Sequence, residues 1–205
     1  MLIYEELLSS NIHLAIQEGS MHFEKEGGLH KTLDRIVRDL DEWQIPYCIV
    51  GGMAMFFHGY RRFTEDVNLL VTQQGLEEIH RRLSGHGYLP PFEGSRNLRD
   101  TETGVRIEFL VTGAYPGDGK PKPVSFPSPQ DATIVLDGKN FLTLPKLVEL
   151  KLASGMSNPR RARDLADVQD LIAALNLHDD LATELNESVR SKYLELCQVV
   201  RDFPE

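Results

Sequence analysis

The chain has 205 residues, enough for one large domain or for a core domain with a helical annex. Its 41% hydrophobic and 26% charged residues are ordinary for a globular protein and exclude global disorder. A formal net charge of −9 argues against non-specific binding to long duplex DNA.

Two cysteines, Cys48 and Cys197, lie far apart in the sequence. We expect both to be reduced core residues rather than a disulfide or part of a zinc site. The N-terminus contains Glu5 and Glu6 but no basic start followed by a long apolar run, so we expect no signal peptide. Since no segment has the length of a transmembrane helix, we expect a cytoplasmic protein that does not bind membranes.

The first half of the chain alternates between helical and strand-like patterns. Residues 3–19 are weakly helical, and residues 20–28, with a glycine pair, are expected to form a joint. Apolar residues at helical spacing between Leu29 and Trp43 predict an amphipathic helix of about four turns. We then predict, in order, a strand at Tyr47–Val50, a short helix at Met53–His58, a strand at Val67–Val71 and a helix containing Leu76, Ile79 and Leu83.

The second half adds a hairpin, two short strands and three helices. Segments 96–101 and 105–111 flank Thr103-Gly104, which predicts the hairpin, and the Gly- and Pro-rich residues 113–129 predict a surface loop. We then predict strands at 132–136 and 140–144, a helix from Pro145 to Ser154 stopped by Gly155, a helix at 165–175 and a final helix at 179–201. This order indicates an α+β fold, with a mixed β-sheet, flanking helices on one side and a C-terminal helical layer.

Residues 49–71, IVGGMAMFFHGYRRFTEDVNLLV, carry the strongest functional signal. A strand followed by Gly51-Gly52 and a helix start lets backbone N–H groups approach an anion, because no Cβ intervenes and the helix terminus carries unpaired donors. Asp66, just before the next strand, can place a hard cation against the same anion. Together these elements predict a site for a nucleoside triphosphate.

This segment resembles the DNA polymerase β-like nucleotidyltransferase superfamily, whose signature is a glycine, then Gly or Ser, then roughly ten residues, then Asp-x-Asp or Asp-x-Glu. Its motifs are similar to those of small AbiE-like proteins encoded in toxin–antitoxin pairs: Gly51-Gly52-Met53-Ala54, His58-Gly59, Arg62-Phe63-Thr64 and Asp66-Val67-Asn68. Glu108 fits the third family carboxylate, and the resemblance continues from Lys151 to Asp167. We expect an N-terminal helical segment at 1–28, a nucleotidyltransferase core at 29–155 and C-terminal helices at 156–205, packed as one compact domain because the sequence shows no strong linker.

The resemblance also implies a reaction and a set of site residues. A nucleoside monophosphate would pass from a nucleoside triphosphate to a hydroxyl of an RNA such as tRNA, a protein or a small molecule. Asp66, Asn68 and Glu108 would form the catalytic set and hold Mg²⁺ or Mn²⁺. The nucleotide-binding positions would be Gly51, Gly52, Arg62, Thr64, Lys151 and Asp164.

Structural interpretations of the same positions stay open. Glu108 shares a strand face with Arg106, where the two could form a surface ion pair. Lys151 could form a salt bridge with Asp164, and Thr64 could cap the turn before the next strand. The cluster of arginines after Pro159 is the best candidate for a local anion-binding patch, with a solvated helix start as the alternative: Arg160, Arg161 and Arg163.

Asn68 is the main departure from the family pattern, because it stands where the second Asp is expected. An amide can offer one carbonyl oxygen to one hard cation, but it lacks the charge and the second oxygen that bridge two ions. Two hypotheses follow: an active nucleotidyltransferase, or a catalytically degenerate nucleotide-binding module with a regulatory or antitoxin-like role. Either one allows a partner protein encoded by an adjacent gene.

Overall fold

A computed structural model describes residues 3–203, which form eight α-helices and seven strands. The helices are α1 (Tyr4–Ser10), α2 (Ile12–Phe23), α3 (Gly27–Glu42), α4 (Gly51–His58), α5 (Gln73–Leu83), α6 (Leu144–Ser157), α7 (Ala162–Leu175) and α8 (Glu187–Asp202). The strands are β1 (Tyr47–Val50), β2 (Asp66–Val71), β3 (Tyr88–Leu89), β4 (Leu98–Asp100), β5 (Arg106–Val111), β6 (Thr133–Leu136) and β7 (Lys139–Leu142). No described helix is both long and apolar enough to cross a bilayer.

The seven strands form one sheet in the order β3-β4-β5-β2-β1-β7-β6. β2 runs parallel to β5 and β1 parallel to β7, while the other neighbouring pairs are antiparallel. The predicted hairpin is confirmed, since Leu98 of β4 pairs with Ile107 of β5. The mixed sheet with flanking helices confirms the predicted α+β class.

Side-chain alternation along β2 and β5 gives the sheet a buried face and a polar face. The buried face carries apolar residues that are at most 1% exposed: Val67, Leu69, Ile107 and Phe109. Helix α5 lies on this face, where the His80 ring is 6.3 Å from the Phe109 ring. The residues that alternate with them are only partly covered: Asp66, Asn68, Arg106 and Glu108. The polar face is therefore available for a site.

The N-terminal segment is more regular than predicted. It forms two helices, and α2 continues to Phe23, so the predicted joint at 20–28 shrinks to residues 24–26. Glu18 ties the helices together, because its carboxylate accepts hydrogen bonds from Tyr4 Oη and Gly28 N at 2.8 Å each. The division at residues 28 and 155 stays a prediction.

The other predicted elements need local corrections. Gly155 does not stop α6, which runs on to Ser157, because the glycine allows Leu165 of α7 to pack against the helix. The predicted helix at 179–201 is a 3₁₀ turn at Asp179–Glu184 followed by α8. The short edge strand β3 was not predicted. Cys48 and Cys197 are both free and buried, as expected.

Candidate functional site

The start of α4 presents backbone donors toward the polar face. Val50 precedes the helix without a side-chain cap, so the first N–H groups of α4 donate no hydrogen bond to a capping side chain. Gly51 has φ +65°, a conformation that favours glycine. At Gly52, a Cβ would lie 2.7 Å from both Cβ and Oγ1 of Thr64. Both glycines are thus required by local structure, and they leave the helix terminus open to an anion.

The central strands bring the predicted carboxylates together. In the parallel pairing of β2 and β5, Asp66 lies opposite Arg106 and Asn68 opposite Glu108. Nη2 of Arg106 is 3.3 Å from Asp66 Oδ2 and 3.2 Å from Glu108 Oε1. Asp66 also accepts a hydrogen bond from Thr64 Oγ1 at 3.1 Å. A single cationic group therefore contacts both carboxylates, and Thr64 orients one of them.

The carboxyl group of Glu108 is perturbed by these surroundings. Burial raises its pKa above the ordinary value, Arg106 opposes the increase, and Asp66 adds to it. A raised pKa brings a carboxylate closer to the range in which it accepts and releases protons near neutral pH. Glu108 is therefore more easily protonated than an exposed glutamate.

Lys151 anchors the C-terminal side of the site. Its Nζ lies 2.5 Å from Asp167 Oδ2 and 3.2 Å from Asp164 Oδ1. Arg62 Nη2 contacts the same Asp167 oxygen at 3.1 Å, and Ser154 Oγ donates to Asp164 at 2.6 Å. The ion pair expected between Lys151 and Asp164 is present. Helices α6 and α7 thus join the segment before β2 through a buried ionic network.

All nine predicted site residues line one cavity of about 740 Å³: Asp66, Asn68, Glu108, Gly51, Gly52, Arg62, Thr64, Lys151 and Asp164. That volume lies in the range of ordinary small-molecule sites. The cavity also includes residues for which the sequence analysis predicted no site role, chiefly Glu5, Glu65 and Arg106. Strand alternation predicts that Arg106 lies on the same sheet face as Glu108. No feature of the sequence predicts that Glu5 of α1 reaches the cavity.

A smaller recess of about 120 Å³ adjoins the cavity and shares Gly51, Asn68 and Glu108 with it. Its walls are mainly apolar: Val50, Leu110, Phe126, Leu142, Leu147 and Leu150. The predicted surface loop at 113–129 forms part of this recess, because Gly117 packs so closely on α6 that a Cβ there would lie 2.7 Å from the Ser154 carbonyl oxygen. The recess is about the size of one aromatic ring.

The arginine cluster lies at the edge of the cavity, where α7 begins. It consists of Arg160, Arg161 and Arg163, all exposed. Within residues 3–203 none of the three guanidinium groups has a carboxylate within salt-bridge distance. Arg61, by contrast, lies over the Phe56 ring at 5.6 Å. The cluster is therefore available for an anionic ligand, whereas Arg61 packs against an aromatic ring.

The donor set fits one hard cation better than two. Over residues 3–203, no group of three acidic, His or Cys side chains is arranged to hold a metal ion. Asp66 and Glu108 nevertheless contact the same nitrogen of Arg106, so the two carboxylates lie side by side on the polar face. The Asn68 carbonyl oxygen is a further ligand of the type that Mg²⁺ accepts.

Comparison with known proteins identifies the fold. No protein-family model and no curated protein matches the chain. ANT(2'')-Ia, in its crystal structure in complex with adenylyl-2''-tobramycin, shares 13% sequence identity with this chain. The TM-score is 0.53, and the match covers 80% of this chain and 96% of that chain. The solution structure of the antibiotic-resistance factor ANT(2'')-Ia is 15% identical, with a TM-score of 0.50 over 83% of this chain and 96% of that chain. These two similarities show a nucleotidyltransferase fold.

An antigenic nucleotidyltransferase-like protein from Paracoccidioides brasiliensis is also similar, at 15% identity and a TM-score of 0.47 over 85% of this chain and 88% of that chain.

Proposed function

We propose that this protein binds a metal–nucleoside triphosphate and transfers its nucleoside monophosphate to a hydroxyl group, with pyrophosphate leaving. One observation carries the proposal: the open terminus of α4, the carboxylate pair and the Lys151 network all line the same cavity. Anion donors, cation ligands and a buried lysine are the three kinds of group that a metal-bound triphosphate requires.

Each part of the cavity has a defined task in this reaction. Gly51 and Gly52 would bind phosphate oxygens through their backbone N–H groups. Asp66, Asn68 and Glu108 would hold Mg²⁺ or Mn²⁺, which when bound neutralises charge on the reacting phosphate. Glu108, whose pKa is raised by burial, would also accept the proton from the attacking hydroxyl.

The remaining groups would bind and orient the nucleotide. Lys151 would contact the triphosphate while Asp164 and Asp167 hold its ammonium group in place. Arg62 would add a second positive charge near Lys151, and Thr64 would orient Asp66. The apolar recess between Leu142 and Leu150 has room for one ring and would take one ring of the nucleobase.

The acceptor is an RNA such as tRNA, a protein or a small molecule. The exposed arginines at the edge of the cavity favour an acceptor that carries negative charge, because a polycationic acceptor would be repelled there. This argument favours an RNA end among the three. By its motifs the protein would act in the cytoplasm as a member of a toxin–antitoxin pair, together with a partner protein from an adjacent gene.

A specific observation favours a second function, a nucleotide-binding module without turnover. Asn68 removes one negative charge from the ion ligands, and Arg106 adds a positive charge beside the other two. Such a site can bind nucleotide yet fail to hold the ions in a reactive arrangement. In that case the protein would act as a regulatory or antitoxin-like module.

One experiment separates the two functions. The purified protein is incubated with α-³²P-labelled nucleoside triphosphates, Mg²⁺ or Mn²⁺ and a pool of tRNA, and labelled acceptor is measured beside equilibrium binding of each nucleotide. Labelling that disappears in Asp66→Asn supports the transferase. Nucleotide binding without labelling, with labelling gained in Asn68→Asp, supports the module. Absence of nucleotide binding by wild type and Asn68→Asp contradicts both.

A further inference from the structure

Arg106 is a cation that lies between two of the proposed metal ligands, Asp66 and Glu108. Its side chain comes from β5, two residues before Glu108, and the alternation of the strand points both to the polar face. One nitrogen, Nη2, contacts both Asp66 and Glu108. The guanidinium group thus already neutralises part of the charge of the carboxylate pair.

Glu5 adds a longer ionic contact to this guanidinium. Its Oε1 lies 3.8 Å from Arg106 Nε, and its Oε2 accepts a hydrogen bond from Arg99 at 2.7 Å. Arg99 is itself 7% exposed, so it holds Glu5 from within the core. Helix α1 therefore places a third carboxylate beside Arg106.

We propose that Asn68 and Arg106 together make this a single-metal site, in which the guanidinium supplies the positive charge that a second dication would bring. The inference rests on the proposed function. Three carboxylates with two dications leave a site with one net positive charge. Two carboxylates, one guanidinium and one dication leave it with the same charge. The single-metal site therefore presents the same net positive charge to a triphosphate as a two-metal site does.

The chemistry of the metal ligands also favours one bound ion rather than two. A side chain that held two dications at once would need two ligand oxygens, which a carboxylate offers. Asn68 has one oxygen and an NH₂ group that repels cations. A second ion would also have to displace Arg106 from two carboxylates at once. The planar guanidinium, in contrast, presents donors that suit phosphate oxygens without a ligand set of its own.

The count of bound ions tests this proposal independently of activity. Mn²⁺ is titrated into the protein with a non-hydrolysable ATP analogue, and electron paramagnetic resonance measures free and bound Mn²⁺. We expect about one Mn²⁺ per nucleotide in the wild type and about two in Asn68→Asp/Arg106→Gln. Asn68→Asp/Arg106→Lys keeps the positive charge and should bind about one. Arg163→Gln, which removes an arginine from the same cavity without touching a carboxylate, should also bind one.

Several results would overturn the inference. Two Mn²⁺ ions in the wild type would do so while leaving the proposed nucleotide site intact. A single ion in Asn68→Asp/Arg106→Gln, with its fold verified by circular dichroism, would do the same. If neither the analogue nor Mn²⁺ binds to any of these proteins, the proposed function fails and the inference fails with it.

Discussion

Thr64 packs directly against the backbone of Gly52, so closely that a Cβ on the glycine would lie 2.7 Å from both Cβ and Oγ1 of the threonine. The same Oγ1 donates a hydrogen bond to Asp66 at 3.1 Å. Thr64 therefore connects the first turn of α4 with the carboxylate at the start of β2. A substitution at Gly52 is therefore expected to disturb Asp66 as well.

Gly52→Ala should weaken nucleotide binding. The added methyl group must displace Thr64, which removes the hydrogen bond that orients Asp66 and narrows the approach to the helix terminus. We expect the affinity for Mg²⁺-ATP to fall about tenfold or more, equivalent to about 1.4 kcal/mol. Isothermal titration calorimetry measures it. Gly19→Ala is the control, since a Cβ on Gly19 in α2 has no neighbour within 4 Å. Equal affinity in both variants would contradict the argument.

Lys151→Met should destabilise the fold strongly. Asp167 is 3% exposed, and removal of the ammonium group 2.5 Å away leaves it with Arg62 as its remaining ionic partner. Breaking a buried ion pair costs about 3 kcal/mol or more, whereas an exposed pair contributes under about 1 kcal/mol. Urea denaturation of Lys151→Met and Lys192→Met compares the two cases, because Lys192 pairs with Glu195 on the surface of α8. A similar loss in both would show that the Lys151 network is not a structural anchor.

A double-mutant cycle gives a second test of that network. Asp167→Asn in the Lys151→Met background should cost less than the same change in the wild type, because the buried carboxylate is already poorly paired. The coupling energy should exceed about 1 kcal/mol. Strict additivity of the two changes would exclude the direct interaction.

The local sequence was enough to predict the centre of the candidate site. A strand, two glycines, a helix and Asp66 are close in sequence, and strand alternation predicts that Glu108 shares a face with Arg106. Glu5 was not predictable, because only the docking of α1 through Arg99 brings it to the cavity. The end of α6 was also mispredicted, since contact with another helix decided it.

Gly155→Ala should show that packing against Leu165 outweighs the helix preference for alanine over glycine. In an exposed helix the change from Gly to Ala gains about 1 kcal/mol, and Gly19→Ala should show this gain. At Gly155 the new Cβ would lie 2.6 Å from Leu165 Cγ, and overpacking costs about 1–3 kcal/mol. We therefore expect opposite signs in the free energy of unfolding measured with urea. Leu165→Ala should reduce the penalty of Gly155→Ala, and a gain of stability at both glycines would refute the packing argument.

The free energy of unfolding should fall in mild acid because of His30. Burial, with a smaller contribution from the neighbouring His22, lowers the pKa of His30 from 6.5 to about 4. Between these values the unfolded chain binds the proton and the folded chain does not, so stability is lost as the pH falls from 6.5 toward 4. The full loss is about 3 kcal/mol for a shift of this size.

His30→Phe isolates this effect. The histidine ring already packs 5.7 Å from the Phe56 ring, so a phenylalanine suits the surroundings. Denaturation curves of wild type and variant, measured from pH 8 to pH 4, share the contributions of the carboxyl groups. Their difference should be constant above pH 7 and should shift in favour of the variant below pH 6. A difference that stays constant over the whole range would mean that His30 takes up its proton equally in the folded and unfolded chain.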